Sequence, residues 1–263
     1  MQIKAHVPTQ SFGFIEIEGT PEEAKEIERL YNHYAETPVA FKSGNRKKIE
    51  AFVGGHIFYD EVIHRYTNEA GDVYLSGSVY AAQGEPKFDA GAMAETMAKK
   101  HGVRASDISD MWKLKGDISA GFGTAIHAAI QLYEQYDGLA KTMGKATNHH
   151  DHPVLQKAVQ KFIDAHKDQK VINEAMVVSH KRKWAGQIDR LIITGEKRCI
   201  VGDIKTNADL TEKKLKTYWK QLQFYGTILE DDGWTVEGLE INHYDGEWKD
   251  LTGKMESINK EGK

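Results

Sequence analysis

The sequence predicts an α/β protein in which a small strand-helix appendage precedes a larger domain of alternating helices and strands. Three observations carry that expectation. Residues 88–167 hold apolar residues at helical spacing, the pattern changes to period two from 171 to 205, and 211–230 returns to helical spacing ahead of two short strand-like runs.

The elements follow in chain order. Residues 10–18 (QSFGFIEIE) read as a strand, and Thr20-Pro21-Glu22-Glu23 has the form of a capping box with proline at the first helical position. A helix is expected from about Pro21 to Glu36, with Ala24, Ile27, Leu30, Tyr31 and Tyr34 as its apolar stripe. The stretch TPVAFKSGNRKK reads as a linker, which places the appendage at 1–50 and the main domain at 51–263. That domain opens on two strand-like runs, HIFYDEVIHRYT and DVYLSGSVYAA, joined by a hairpin turn at Asn68-Glu69-Ala70-Gly71. Helices are expected at 88–102, 106–115, 122–137 and 153–167, with GLAKTMGKATNHH as a loop. Strands follow at about 171–179, 184–193 and 198–205, then a helix at 211–230, strands at 235–243 and 247–251, and a polar, frayed tail from Thr252.

Length and composition bound the function classes. A chain of 263 residues buries one sizeable core with a small additional module. The net charge of −4 excludes a uniformly basic protein, so any nucleic-acid contact must come from local basic patches. Cys199 is the single cysteine, which excludes a disulfide framework, a four-cysteine zinc site and a cysteine-ligated iron–sulfur cluster. MQIKAHVPTQ lacks the basic start and apolar stretch of a signal peptide, and no run has the length of a membrane span; a soluble, cytoplasmic protein with no membrane partner is expected.

The most informative segment is WAGQIDRLIITGEKRCIVGDIKT, two strands around the polar turn Thr194-Gly195-Glu196-Lys197. As an antiparallel hairpin it sets Asp189 opposite residue 202 or 203, beside Asp203. Facing carboxylates repel unless something neutralises them, and a divalent cation does so. Strand alternation puts Asp203 and Lys205 on one face, so that a cation and an ammonium flank one point where a phosphodiester develops negative charge. An exposed cross-face ion pair is the alternative for a bare D-x-K, but Ile200, Val201, Gly202 and Ile204 mark a buried strand whose charges need a reason.

Other residues are candidates on weaker signals. His127, near the start of an expected helix, is either a packing histidine or an imidazole ligand; Gln131 lies one turn further on the same face, and Glu134, two turns on, is too distant to share a metal. Glu174 is either a carboxylate standing behind the site or a solvated residue at a strand start. Gln221 and Tyr225 share a helix face. Lys213, Lys216 and Lys220 form a stripe on that helix, and His180-Lys181-Arg182-Lys183 a second basic cluster; both are solvated faces or phosphate contacts.

Taken in order, GTAIH, Glu174, GQID, GDIKT and QLQFY resemble the motif series of RecB-like nucleases in the PD-(D/E)XK superfamily, over about residues 55–250. The opening HIFYDEVIHRYTNEAGDVYLSGSVYAA is similar to phage-encoded members. The resemblance implies a restriction-endonuclease-like core, a mixed central sheet flanked by helices, and a Mg²⁺- or Mn²⁺-dependent DNA exonuclease serving phage recombination or DNA processing. It further implies His127, Asp189, Asp203 and the Ile204 carbonyl as metal ligands, Lys205 as the catalytic lysine, and Gln221 and Tyr225 as the motif of the following helix. DNA, single-stranded or with free ends, is the implied substrate, and a strand-annealing protein of phage recombination the implied partner. A structure- or sequence-selective endonuclease and a catalytically silent DNA-binding accessory are the alternatives. Three departures stand out: Ile188 precedes Asp189 where the superfamily is named for proline, Gln131 stands where many relatives carry glutamate, and Cys199 alone cannot hold the iron–sulfur cluster of some relatives.

Overall fold

The computed structural model describes residues 3–8, 14–19, 46–60, 62–84, 88–143 and 153–258. Contacts group the chain into two units, Met1–Ser76 with Met176–Gly186, and Gly77–Ala175 with Gln187–Lys263.

In the first unit β1 (Ile3–Pro8) and β2 (Phe14–Gly19) pair antiparallel, Ala5 opposite Ile17. The strand expected at 10–18 is thus shifted to 14–19, and β1 was not anticipated; the helix expected at 21–36 lies outside the described residues. An antiparallel meander follows: β3 (Arg46–Glu50), β4 (His56–Asp60), β5 (Arg65–Thr67) and β6 (Val73–Ser76). The run HIFYDEVIHRYT is therefore two strands rather than one, because the Asp60 carboxylate accepts the amides of Val62 and Ile63 and turns the chain, with His64 at φ 48°. The turn at 68–71 is present, closed by Asn68 on Asp72 and by Gly71 at φ 90°. Ile57, Tyr66, Tyr74, Met176, Val178 and Ala185 form this unit's core.

The second unit begins with α1 (Gly77–Ala82), so the run DVYLSGSVYAA is a four-residue strand followed by a helix. Next come α2 (Ala90–His101), capped by Asp89 and ended by Gly102 at φ 67°, and α3 (Ala105–Met143). α3 fuses the helices expected at 106–115 and 122–137 and extends into the expected loop. Isolated glycines cost about 1 kcal/mol each in a helix but do not break it, and the segment has no proline. After α4 (Pro153–His166) come β7 (Val171–Ser179), β8 (Trp184–Gly195), β9 (Arg198–Lys205), α5 (Glu212–Asp231), β10 (Thr235–Tyr244) and β11 (Trp248–Gly253), close to the bounds read from the sequence. The tail is ordered further than expected, since the Ile258 amide donates to Thr227 and the side chain is buried.

The sheet order in this unit is β11–β10–β9–β8, with β10 parallel to β9 and the other neighbours antiparallel. β7 pairs with β8, and at its start β8 runs parallel to β6, bringing the mixed sheet to nine strands among the described residues. Alternation sorts the faces. Ile204 and Tyr244 join Ile126, Ile130, Phe162 and Leu155 in a core under α3 and α4, while the opposite face of β9 turns to α5, whose Leu222, Phe224, Ile228 and Leu229 are buried. Helices therefore cover both faces, as a half-parallel buried sheet requires.

Candidate metal and nuclease site

The β8–β9 hairpin registers Arg190 with Gly202 and Leu191 with Val201, so Asp189 and Asp203 occupy the next facing positions at the open end of the ladder. Of the two pairings that the turn at Gly195-Glu196 allows, residue 202 or 203 opposite Asp189, the register is the second. Asp189 Oδ2 accepts the Ile204 amide at 3.2 Å and lies 3.4 Å from His127 Nδ1. α3 supplies His127 from the first full turn beyond Gly123. A Cβ at Gly123 would meet the Thr206 hydroxyl at 2.7 Å, so glycine is what lets the helix approach the end of β9 this closely.

Glu174 sits inside β7 rather than at its start, with φ 52°, the left-handed region that costs a non-glycine residue energy. Its carbonyl accepts the side-chain amide of Gln187 at 3.4 Å. Ligand atoms of His127, Glu174 and Asp189 all fall within 4.8 Å of one another.

Asp203 is turned instead to Lys205. Its Oδ1 accepts from Nζ at 2.8 Å; Oδ2 lies 2.6 Å from the same nitrogen yet has no aligned donor, a buried oxygen with unused capacity. Burial pushes the Asp203 carboxyl up to about 7, and Asp189 adds to the rise against the pull of Lys205. Burial likewise raises Glu174, helped by Asp203. It lowers His127, assisted by Lys205, while Asp203 and the Ile204 backbone oppose it. Burial opposes the charge of Lys205 too, but Asp203 and Asp189 outweigh it and hold the ammonium above its usual range. The Lys205 nitrogen stands 5.0 Å from the centroid of Tyr218, whose hydroxyl donates to Asn207.

His127, Glu174, Lys205 and Tyr218 line an open cleft of about 680 Å³, floored by Ser119 and Gly123 of α3; Gln131 reaches it as well. Gln221 and Tyr225 do not line it. Gln221 donates to the Tyr225 hydroxyl at 3.1 Å, and Tyr225 is buried against Gly77, where a Cβ would meet its ring at 2.6 Å. Tyr218 and Asn207 are not identified by the sequence reading. The signal was available, since Tyr218 precedes Gln221 and Tyr225 by one and two turns on the same stripe of α5. Of the basic clusters, Lys216 pairs with Glu212, and Lys183 with Asp72.

The sequence matches the family model of the PD-(D/E)XK nuclease superfamily over residues 102–244, more than half of the chain. The chain belongs to the PD-(D/E)XK nuclease superfamily. No curated protein matches it. The matched span of this PD-(D/E)XK protein runs from the end of α2 to the end of β10 and so contains every residue of the cleft. Two carboxylates and an imidazole, with a buried spare oxygen on Asp203 beside them, can hold a divalent cation, and like charges held this close fit such an ion. Among the described residues no helix is long and apolar enough to cross a membrane.

Proposed function

We propose that the protein is a metal-dependent DNA exonuclease of the RecB-like branch, acting with Mg²⁺ or Mn²⁺ in phage recombination or DNA processing. The observation that carries this reading is the convergence of His127, Glu174 and Asp189 beside the Asp203–Lys205 pair, with His127, Glu174 and Lys205 lining an open cleft. His127, Glu174 and Asp189 hold the cation, with the spare oxygen of Asp203 and the Ile204 carbonyl adjoining. A divalent cation bound there supplies Lewis acidity toward a phosphate oxygen and toward water.

The chain's own groups do the rest. Lys205, kept protonated by its acidic neighbours, presents a positive charge to the phosphoryl oxygens as negative charge builds and orients the attacking water. Asp203 fixes the ammonium from one side and the Tyr218 ring from the other, so little reorganisation is needed during reaction. Asp189 is held by the Ile204 amide and His127. Gln221 and Tyr225 brace α5 from behind. Lys213, Lys216 and Lys220 track phosphates without reading bases, which favours weak sequence preference and strong inhibition by salt. The substrate is DNA with free ends, the partner a strand-annealing protein of phage recombination, and the compartment the cytoplasm of the host cell.

The test uses equal masses of linear and covalently closed circular DNA, single- and double-stranded, incubated with Mn²⁺. Nucleotide release from linear DNA with intact circles is expected. Linearisation of circles at a rate comparable to end digestion rejects the exonuclease and promotes a structure- or sequence-selective endonuclease. Metal-independent binding without cleavage leaves a silent DNA-binding accessory.

A further inference from the structure

β8 carries Asp189 and Arg190 as neighbours, and each is tied to α3. Asp189 meets His127; Arg190 meets Glu134, two turns further along the same helix. Arg190 is fully buried, and its donors are saturated: Nη2 and Nε reach Glu134 Oε1 at 2.6 and 3.0 Å, Nη2 also reaches Gln169 at 2.7 Å, and Nη1 reaches Asn242 at 3.0 Å and Glu240 at 3.4 Å. The guanidinium also lies over the Phe162 ring, 4.7 Å from its centroid. None of these groups enters the chemistry proposed for the cleft.

α3 also packs against the sheet through apolar residues, Ile126, Ala129 and Ile130 among them. Such packing drives association but specifies height and rotation weakly, whereas a fully paired planar guanidinium admits one arrangement. α3 is continuous and free of proline between the two links, so a height set at Glu134 is carried rigidly back by about 10 Å to His127.

We infer that Arg190 and Glu134 are positioning residues, which lock α3 over β8 and thereby hold the His127 imidazole on Asp189 at ligating distance. The inference rests on the reading of His127, Glu174 and Asp189 as a cation site. It explains why a buried ion pair adjoins the site: the pair contributes geometry that apolar residues of equal volume would not.

The experiment replaces the link by apolar volume, in Glu134→Leu/Arg190→Met, and compares melting in EDTA with Mn²⁺ affinity by calorimetry on the full chain. The double variant is expected to stay folded but to melt below wild type, because Glu134 leaves no orphaned charge while Glu240 still loses its cation. Its Mn²⁺ affinity is expected to fall at least about tenfold, the scale for losing a group that orients a ligand. In cleavage assays kcat falls while KM for DNA stays unchanged. Mn²⁺ affinity within about twofold of wild type in a folded double variant overturns the inference. If the double variant fails to fold, Glu134→Gln decides: it keeps the shape and one acceptor, so weakening of Mn²⁺ binding by about threefold supports the lock and unchanged binding rejects it. Asp189→Ala separates this failure from that of the site itself. Loss of Mn²⁺ binding in Asp189→Ala with intact binding in the link variants rejects the lock alone, whereas binding that survives Asp189→Ala removes the cation site and the inference with it.

Discussion

Asp189 and Arg190 are consecutive on β8 and carry opposite charges into opposite surroundings. Around Arg190 every acceptor is matched to a donor: Glu134, Gln169, Asn242 and Glu240 close on the guanidinium, and Asn242 donates onward to Asp250. Around Asp189 the balance is the reverse. Three carboxylates, Glu174, Asp189 and Asp203, share one ammonium and one imidazole whose protonation burial disfavours, and Asp203 retains a buried oxygen without an aligned donor. Saturated charge fastens the fold; unsaturated charge, held in place by that saturated neighbour, is left for a ligand. Substitution on the two sides should therefore fail in different ways.

The largest difference is expected in turnover. Asp203→Ala and Lys205→Ala should each reduce DNA cleavage by at least about a hundredfold, the loss typical of one preorganised electrostatic group, with far-UV circular dichroism close to wild type. Lys205→Ala should keep its Mn²⁺ affinity. Cleavage above a few per cent of wild type in either variant would remove these residues from the chemistry, and lost metal binding in Lys205→Ala would reassign the lysine to the fold.

The second difference lies in stability, and here the order of the two sides inverts. Arg190→Ala leaves Glu134 and Glu240 buried without their cation and should cost about 3–5 kcal/mol in urea unfolding. Glu174→Gln removes one of three crowded acids whose ionisation burial already opposes, and should leave stability in EDTA unchanged or slightly raised. Added Mn²⁺ raises the wild-type Tm by mass action, and this increment should vanish in Glu174→Gln. A destabilised Glu174→Gln with a preserved Mn²⁺ increment would mean that its strained backbone serves the fold and not a ligand.

The same contrast separates what was legible in the sequence from what was not. β8 and β9 follow from local signals, since alternation with a four-residue polar turn marks both strands and brings Asp189 opposite residue 202 or 203, of which the structure has the second. His127 and Lys205 are singled out by the resemblance to the RecB-like motif series, Lys205 also by its D-x-K spacing from Asp203. Glu174 is weakly legible because no residue type in NEAMVV announces its positive φ inside a strand. The Arg190–Glu134 link is not legible at all: the partners lie far apart in sequence, and an arginine beside a candidate ligand reads as a solvated or phosphate-binding charge. Long-range burial decides its meaning. The fusion of two expected helices into α3 has the same origin. Glycines at 116, 121 and 123 look like breaks in a local window, but packing of Ile126, Ala129 and Ile130 below and of Ile108 on α2 above carries the helix through them.

The smallest expected effect concerns the identity of the cation and sharpens the comparison at the one residue both sides share an interest in. His127 belongs to the unsaturated side by its ring and to the saturated side by its helix. Mg²⁺ holds strictly to oxygen donors and octahedral geometry, whereas Mn²⁺ accepts an imidazole readily. A site of two carboxylates and His127 should thus support cleavage with Mn²⁺ at least as well as with Mg²⁺. His127→Ala deletes the nitrogen donor while leaving Asp189, Glu174 and the Arg190 network in place, so both metals lose activity but Mn²⁺ loses more, and the Mn²⁺-to-Mg²⁺ ratio narrows by a factor of a few. The ratio is the informative quantity, because a general loosening of α3 lowers both activities together and leaves it unchanged. An unaltered ratio in His127→Ala, measured at saturating metal, would assign His127 to packing, confine the cation to the carboxylates, and leave the Arg190 side purely architectural.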